Sequence, residues 1–352
     1  MAMNSRKNDA IDTEAPSIDA LLLLSFGGPD GPQDVMPYLD RVLDGRRVPA
    51  ARKREVAEHY ARFGGRSPIN AQNRQLLARL QQELESHHVP LRLYWGNRFW
   101  HPLIPDTIAR MAADRTRHAL VLITSPFSSY SSCRQYLEEA ARACEQVGPT
   151  APRLSKLRAY YNHPQFVAAW RERVREATAD WPAARRQRAA VLFTAHSIPV
   201  AMPGCDRYVA QLHDLAAVLA EELELADAQW QIVYQSRSGR PGQAWLEPDV
   251  RDVIRLRGQQ RFRHDVLMVP IGFVSDHVEV LYDLDVEASE VAENAGVRLS
   301  RVCTVGTHPR MITMIRALIE ERLSGSRRRP TVGRLGPAPD QCPADCCRPP
   351  TQ

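Results

Sequence analysis

The sequence predicts an α/β protein of two similar lobes, each a parallel sheet flanked by helices, with a ligand cleft between them. Three observations carry this reading. Short leucine-rich or β-branched runs alternate with longer stretches of helical periodicity, the pattern of parallel sheets with crossover helices. Six such runs fall into two sets of three with one rhythm of strand, loop and helix. And 352 residues, 44% hydrophobic and 25% charged, suffice for about two domains with cores of their own. Both lobes read as Rossmann-like.

In order, the first lobe (about 19–155) offers strands at 21–26, 91–96 and 119–125, and the second (about 156–323) at 190–195, 231–235 and 266–271. Helical patterns fill 34–44, 51–62, 69–86, 104–113, 132–146, 164–178, 206–224, 247–257, 276–294 and 308–323. Each first strand enters a polar loop (SFGGPDGP, TAHSIPV). Each second ends in an aromatic or amide-bearing loop (YWGNRFWHP, YQSRSGRPG), and each third runs into a polar loop and a helix (ITSPFSSYSS, VPIGFVSDH). In open parallel sheets ligands bind outside the carboxyl ends of the strands, so these six loops are expected to face one cleft. Residues 1–18, polar and mixed in charge, read as a disordered lead. From 324 to 352 the chain is rich in Pro, Gly and Arg, an extended tail ending in cysteines.

The net charge of +5 suits an anionic small molecule as well as a nucleic acid. Beyond the arginines at 327–329 no basic run is interleaved with aromatics, so no nucleic-acid partner is expected. No apolar run approaches the roughly 18 residues of a membrane span, and the N-terminus lacks the apolar core of an export signal. A cytoplasmic protein without a transmembrane segment is expected. Seven cysteines, an odd number, argue against a disulfide scaffold. Cys133, Cys144, Cys205 and Cys303 lie in the body, while Cys342, Cys346 and Cys347 crowd the end.

Glu279, Asp283 and Glu287 recur every four residues, so an α-helix would stack three carboxylates on one face. Like charges at that spacing cost about 0.2–0.5 kcal/mol per pair. One reading is a solvated acidic face, with Asp276 and Glu279 as a capping box. The other is a row of oxygen ligands for a divalent cation at the mouth of the cleft. His196 stands where a strand meets its loop, shortly before Pro199. It is either a structural histidine or a proton acceptor near neutral pH. The loop holding Gly27 and Gly28 lacks both G-x-G-x-x-G and G-K-[ST], which argues against a phosphate loop; its glycines admit a tight turn or a flat ligand. Trp245, downstream of Gln235 and Ser236, is either packing or an aromatic wall for a planar substrate.

The set TAHSIP, then QSRSG followed by W-L-x-P, then PIGFVSDHVEVLYDLDVE resembles the ferrochelatase family in order and spacing. SFGGP, HYARFGGRSPIN (59–70) and HPLIPDTI (101–108) extend the resemblance over about 19–323. It implies insertion of ferrous iron into a porphyrin with no organic cofactor. His196 of the HS-x-P motif and Glu279 of SDH-x-E would flank the porphyrin centre and handle pyrrole protons and incoming metal. Asp283 and Glu287 would bind or relay hydrated metal, making His196, Glu279, Asp283 and Glu287 the metal set. Phe26, Gln235, Ser236 and Trp245 would line the porphyrin, and Arg46, Tyr60 and Ser67 would lie by its propionates. Such a reaction must remove two N–H protons, strip water from Fe²⁺ and tilt the pyrroles, which suits an imidazole, exchangeable carboxylates and a rigid cleft.

Phe26 stands where some members carry tyrosine, so neither iron ligation nor proton exchange is expected there. Asp283 replaces the commoner glutamate. The form FGGPDGPQDVMPYL is closest to ferrochelatases of high-GC Gram-positive bacteria, which implies coproporphyrin III as substrate and coprohaem as product, with protoporphyrin IX the alternative. The tail Cys342-Pro-Ala-Asp-Cys346-Cys347 resembles the C-terminal set of members with a [2Fe–2S] cluster, which needs four thiolates. Cys133, in SSYSSCRQY, would be the fourth. The resemblance also implies a downstream haem-pathway enzyme as partner. A cobalt chelatase usually shows a second histidine toward the metal, whereas His277 falls on a different helical face from Glu279. A two-lobed haem- or metal-binding protein without turnover is the reading from another class, and would give a stoichiometric rather than catalytic rise in metalloporphyrin.

Overall fold

The computed structural model describes residues 17–45, 48–238, 242–259, 265–343 and 346–347. Residues 1–16 of the expected lead, Arg46 and residues 348–352 lie outside the described residues. In the first lobe β1 (Ala20–Ser25), β2 (Arg92–Asn97), β3 (His118–Ile123) and β4 (Arg153–Lys156) form a parallel sheet in the order β2-β1-β3-β4. In the second, β5 (Ala190–His196), β6 (Trp230–Gln235), β7 (Asp265–Val269) and β8 (Arg298–Arg301) repeat it as β6-β5-β7-β8.

Burial explains which strands were legible. β1, β3 and β7 are buried at every position and β5 at all but His196, as strands covered on both faces require. The sequence pattern missed β4 and β8, whose residues Arg-Leu-Ser-Lys and Arg-Leu-Ser-Arg are largely half-buried at the sheet edge. A four-residue polar edge strand has no apolar run to announce it. The two occupy matching registers, Arg153 opposite His118 and Arg298 opposite Asp265.

Helices α1 (Pro32–Val42), α2 (Ala50–Ala61) and α3 (Ile69–Ser86) join β1 to β2. α4 (Ile104–Ala113) leads to β3, and a π-helical turn at Tyr130–Arg134 with α5 (Gln135–Val147) leads to β4. Between the sheets lie α6 (Pro164–Ala177) and α7 (Ala183–Arg188). The second lobe carries α8 (Cys205–Glu222), α9 (Val250–Gly258), α10 (Val278–Val280) and α11 (Ala288–Asn294), and α12 (Pro309–Leu323) ends it in sequence. Yet α12 packs on α3 and α6. One apolar cluster therefore runs from Leu21 and Leu23 through Trp170 and Phe193 to Met314 and Leu318, spanning both sheets. Among the described residues no helix is long and apolar enough to cross a membrane.

The expected extended tail is laid over the body. Val332 N–H donates to Asn162 O (2.9 Å), Asn162 Nδ2 donates to Gly336 O (2.7 Å), and Arg334 N–H donates to Asp214 Oδ1 (2.7 Å). Beneath it Arg158, 1% exposed, donates from Nε and Nη2 to the two oxygens of Glu321 in α12 (2.9 Å each) and from Nη2 to Pro330 O (3.1 Å). Removing one partner of a buried pair strands the other charge, at a cost of about 3–5 kcal/mol. Urea unfolding of Glu321→Ala should show a loss of that order, and a loss below about 1 kcal/mol would mean the pair does not tie α12 to the segment after β4.

Candidate active site

In each sheet the chain leaves its first strand toward one side, then crosses back to the other. In the second lobe this reversal falls between β5 and β7, and a crevice opens at the carboxyl end of strands at such a point. His196 is the last residue of β5, and the loop from Pro270 leads from β7 into the helix bearing Glu279. Gly272 N–H donates to Thr194 O (3.0 Å), holding that loop against β5. The fold thus brings His196 and Glu279 together across 83 residues of sequence, with His196 Nε2 3.4 Å from Glu279 Oε1.

Nδ1–H of His196 donates to Ser197 O (2.5 Å), which fixes the tautomer and leaves Nε2 for the partner. Burial alone would lower the pKa of this imidazole. The charge and hydrogen bond of Glu279 outweigh that, lifting it to about 9. Burial works against the Glu279 carboxylate, but His196 prevails and holds it below the usual carboxylate range. Asp283 moves the other way: burial, then the neighbouring Glu279 charge, push it up toward neutrality. One site therefore holds an ionised ion pair beside a carboxyl poised to exchange a proton.

His196 and Glu279 are in direct contact with each other at the end of β5. Several expectations are corrected here. An α-helix does not carry the acidic stripe, because Leu281–Glu287 is π-helical. The wider i→i+5 turn moves Asp283 and Glu287 off the single α-helical face, and such turns recur at functional sites. Asp276 and Glu279 make no capping box. Asp276 instead takes Arg301 (2.7 Å) and Thr304 (2.8 Å), and His277 Nδ1 caps the helix by accepting from Val280 N–H (3.4 Å).

The remaining sequence candidates are placed unevenly. Gln235 accepts from Thr194 Oγ1 (3.0 Å) and donates toward Asp283 Oδ2 (3.5 Å). Ser236, at φ +64°, turns its hydroxyl onto the same carboxylate; that backbone is unusual for a non-glycine and points to a functional constraint. Glu287 stands apart, paired with Arg251 (2.9 Å), which also holds Asp249 (3.0 Å). Trp245 bridges Pro199 in the loop after His196, and its indole Nε1 is buried without a hydrogen-bond partner. From the first lobe, Phe26 packs its half-exposed ring on Phe99 (4.6 Å between centroids). Tyr60 Oη donates to Tyr38 Oη (3.4 Å), and both hydroxyls feel the Glu279 charge. His59 stacks on Tyr282 at 3.6 Å, joining α2 to the π-helical segment.

Ser67 is buried under the first loop, where a Cβ on Gly28 would come within 2.6 Å of its own Cβ. Packing on Ser67 by itself requires glycine at position 28. Arg46 lies outside the described residues. A cavity of about 510 Å³ opens beside the site, lined by Ser197, Tyr234, Arg237, Leu246, Asp249 and Arg251 but by neither His196 nor Glu279. Two residues at the site carry no sequence signal, because their partners are distant in the chain. They are Arg251, on Glu287, and Tyr208, whose Oη donates to the backbone oxygen of His196 (3.1 Å).

Among the described residues no group of three or more His, Cys, Asp or Glu side chains converges closely enough to hold a metal ion. The four cysteines nevertheless gather. Cys346 Sγ and Cys347 Sγ are 3.9 Å apart, and the sulfur of Cys347, 2% exposed, lies 2.8 Å from where a Cβ on Gly204 would stand. Cys133, in the Tyr130–Arg134 turn, donates to Ser129 O (3.4 Å) and senses the charges of Lys156, Cys342 and Cys346. Burial holds the Cys133, Cys342 and Cys347 thiols above the ordinary range, so a metal group would have to displace their protons. Arg207 bonds Cys346, and Lys156 lies beside Cys342. Four thiols with cations around them are a donor set of the right kind for an anionic iron–sulfur group.

This architecture is that of the two-lobed chelatases. The chain is similar in fold to SirB from Bacillus subtilis with Fe³⁺, at a TM-score of 0.55 and 12% identity over 88% of this chain and 96% of that one. The family model described as Ferrochelatase matches residues 18–323. The chain is 48% identical to a ferrochelatase of Rhodopirellula baltica, covering 95% of each. It is 45% identical to a coproporphyrin III ferrochelatase of Nocardia farcinica, covering 95% of this chain and 97% of that one. The chain belongs to the ferrochelatase family, as its motifs implied.

The raised His196 pKa has a signed consequence. The pair with Glu279 stabilises the fold fully between the ordinary carboxylate value of about 4.5 and the ordinary histidine value of about 6.5; it is lost as pH rises through about 9 and, on the acid side, as Glu279 takes up a proton. In Glu279→Gln the main upward influence is gone and burial is opposed only by the Ser197 hydrogen bond and the Asp283 charge, so the His196 imidazole should titrate well below about 9 in an NMR pH series on the metal-free protein. A value still near 9 in that variant would remove Glu279 as the cause.

Proposed function

We propose that this chain is a coproporphyrin III ferrochelatase, inserting Fe²⁺ into its tetrapyrrole substrate to give coprohaem. Family membership supports metal insertion, and the coproporphyrin III ferrochelatases among its relatives support the substrate. The observation that carries the chemistry is the His196–Glu279 pair at the end of β5.

Porphyrin lies against that pair, with the Phe26 and Phe99 rings offering apolar contact and no ligand atom. Hydrated Fe²⁺ enters past Glu287, exchanging water for carboxylate oxygen as it displaces Arg251. Asp283, held by Ser236 and near its titration point, takes up or releases a proton as charge passes. Metal at Glu279 cancels the charge that keeps His196 protonated, so the imidazole gives up its proton toward Asp283. Nε2, with Nδ1–H fixed on Ser197 O, then accepts one pyrrole proton, hands it by way of Asp283 to solvent, and accepts the second. Each insertion releases two protons, and the carboxylates lead both metal in and protons out.

We also infer that Cys133, Cys342, Cys346 and Cys347 hold a [2Fe–2S] cluster. Bound there, it would supply a cross-tie between the tail and the first lobe. Anaerobically purified protein should contain acid-labile sulfide that Cys342→Ser abolishes, and colourless, sulfide-free wild type would end this inference.

The functional reading is tested by anaerobic absorbance assays with Fe²⁺, comparing coproporphyrin III with protoporphyrin IX. We expect catalytic turnover with clear preference for coproporphyrin III. Equal rates would remove the substrate assignment, and a metalloporphyrin yield that stops at one per chain would turn the protein into a binder.

A further inference from the structure

The tail cysteines and His196 meet at one short piece of chain. β5 ends at His196, a loop follows from Ser197 to Gly204, and α8 begins at Cys205. The loop is pinned to the segment that bears Cys133. Tyr130 N–H donates to Pro203 O (3.0 Å), Ser131 Oγ donates to Met202 Sδ (3.3 Å), and Ser128 N–H donates to Gln211 Oε1 (2.7 Å). The Cys347 sulfur fills the space over Gly204, which at φ +81° is also a position that favours glycine. On the first turn of α8 two consecutive residues then face different ways. Successive side chains on a helix diverge by about 100°, so Arg207 reaches outward and Tyr208 inward. Arg207 Nη1 donates to Cys346 Sγ, and Tyr208 Oη, on a ring 3% exposed, donates to the carbonyl oxygen of His196 (3.1 Å).

We propose that the tail thiol site governs the placement of His196 through this first turn of α8, with Arg207 holding Cys346 and Tyr208 holding His196. Both are positioning residues, since neither reaches the reacting atoms. The proposal rests on the reading of His196 as the pyrrole proton acceptor. With the tail engaged, the turn is clamped between Cys346 and the Cys133 segment, and Tyr208 fixes the carbonyl at the end of β5. With the tail released, the turn loses its outer anchor and the packing over Gly204, and the histidine loses its fixed aim. A displacement of about 1 Å arising far from the chemistry can cost about 100-fold in rate.

The test uses the full chain, purified anaerobically, as wild type, Arg207→Leu, Arg207→Lys and Tyr208→Phe. Hydrogen exchange is followed over residues 196–208, and kcat and KM for the porphyrin are measured separately. Arg207→Leu should speed exchange over that span and lower kcat at least about tenfold, with KM within about twofold. Arg207→Lys, which retains a cationic donor, should recover most of both. Tyr208→Phe should lower kcat similarly while keeping wild-type iron and sulfide content, because it cuts the link at the His196 end. Wild-type exchange and kcat in Arg207→Leu would overturn the proposal, as would an unaltered kcat in Tyr208→Phe or equal damage from Lys and Leu at 207. If wild type metallates no porphyrin, the functional reading falls, while exchange in Arg207→Leu still decides whether the thiol site and His196 are coupled.

Discussion

The reversal of strand order between β5 and β7 is the constraint on which the rest of the molecule depends. Right-handed crossovers on both sides of β5 leave a crevice at its carboxyl end. The residue that closes β5 and the loop that leaves β7 have no choice but to meet there. His196 and Glu279 become an ion pair by topology, and the pair then sets the electrostatics of its surroundings. It holds the imidazole protonated and Glu279 ionised, while burial and then the Glu279 charge raise Asp283. A histidine charged at rest cannot accept a proton, so in the proposed reaction it is arrival of the metal at Glu279 that would make it a base. Order of events follows from charge.

The same plan appears twice with different cargo. Each lobe has a four-stranded sheet in the same order, a polar edge strand of near-identical sequence, and a π-helical turn after its third strand. In the second lobe that turn presents Asp283 and Glu287; in the first it presents Cys133. One backbone solution, a helix start with a widened turn facing the cleft end of the sheet, has been given oxygen donors on one side and a thiol on the other. The tail, docked across both lobes, brings its cysteines to the first of these turns.

Much of this was legible in the residues. The four interior strands are apolar runs because both their faces are covered, and the motif loops follow the six expected strands because ligands gather at strand ends. His196 and Glu279 were marked by that position. What escaped depends on contacts that no local pattern records. β4 and β8 are too short and polar to show a period. The π-helical turn has the same composition as an α-helix, so the spacing of Glu279, Asp283 and Glu287 suggested one face where the backbone provides a wider spiral. Arg251 and Tyr208 earn their places through partners 36 and 12 residues away. The close packing of Ser67 on Gly28 is likewise a contact that no local pattern records.

The account stands or falls on His196 as the group that takes protons from the bound porphyrin. The direct measurement is the rate of metalloporphyrin formation by His196→Ala under anaerobic Fe²⁺, with porphyrin binding followed in parallel by fluorescence. A general base contributes about 10²–10⁴-fold, so the variant should bind porphyrin nearly as wild type does and metallate it at least about 100-fold more slowly. Metallation at a near-wild-type rate would contradict the account.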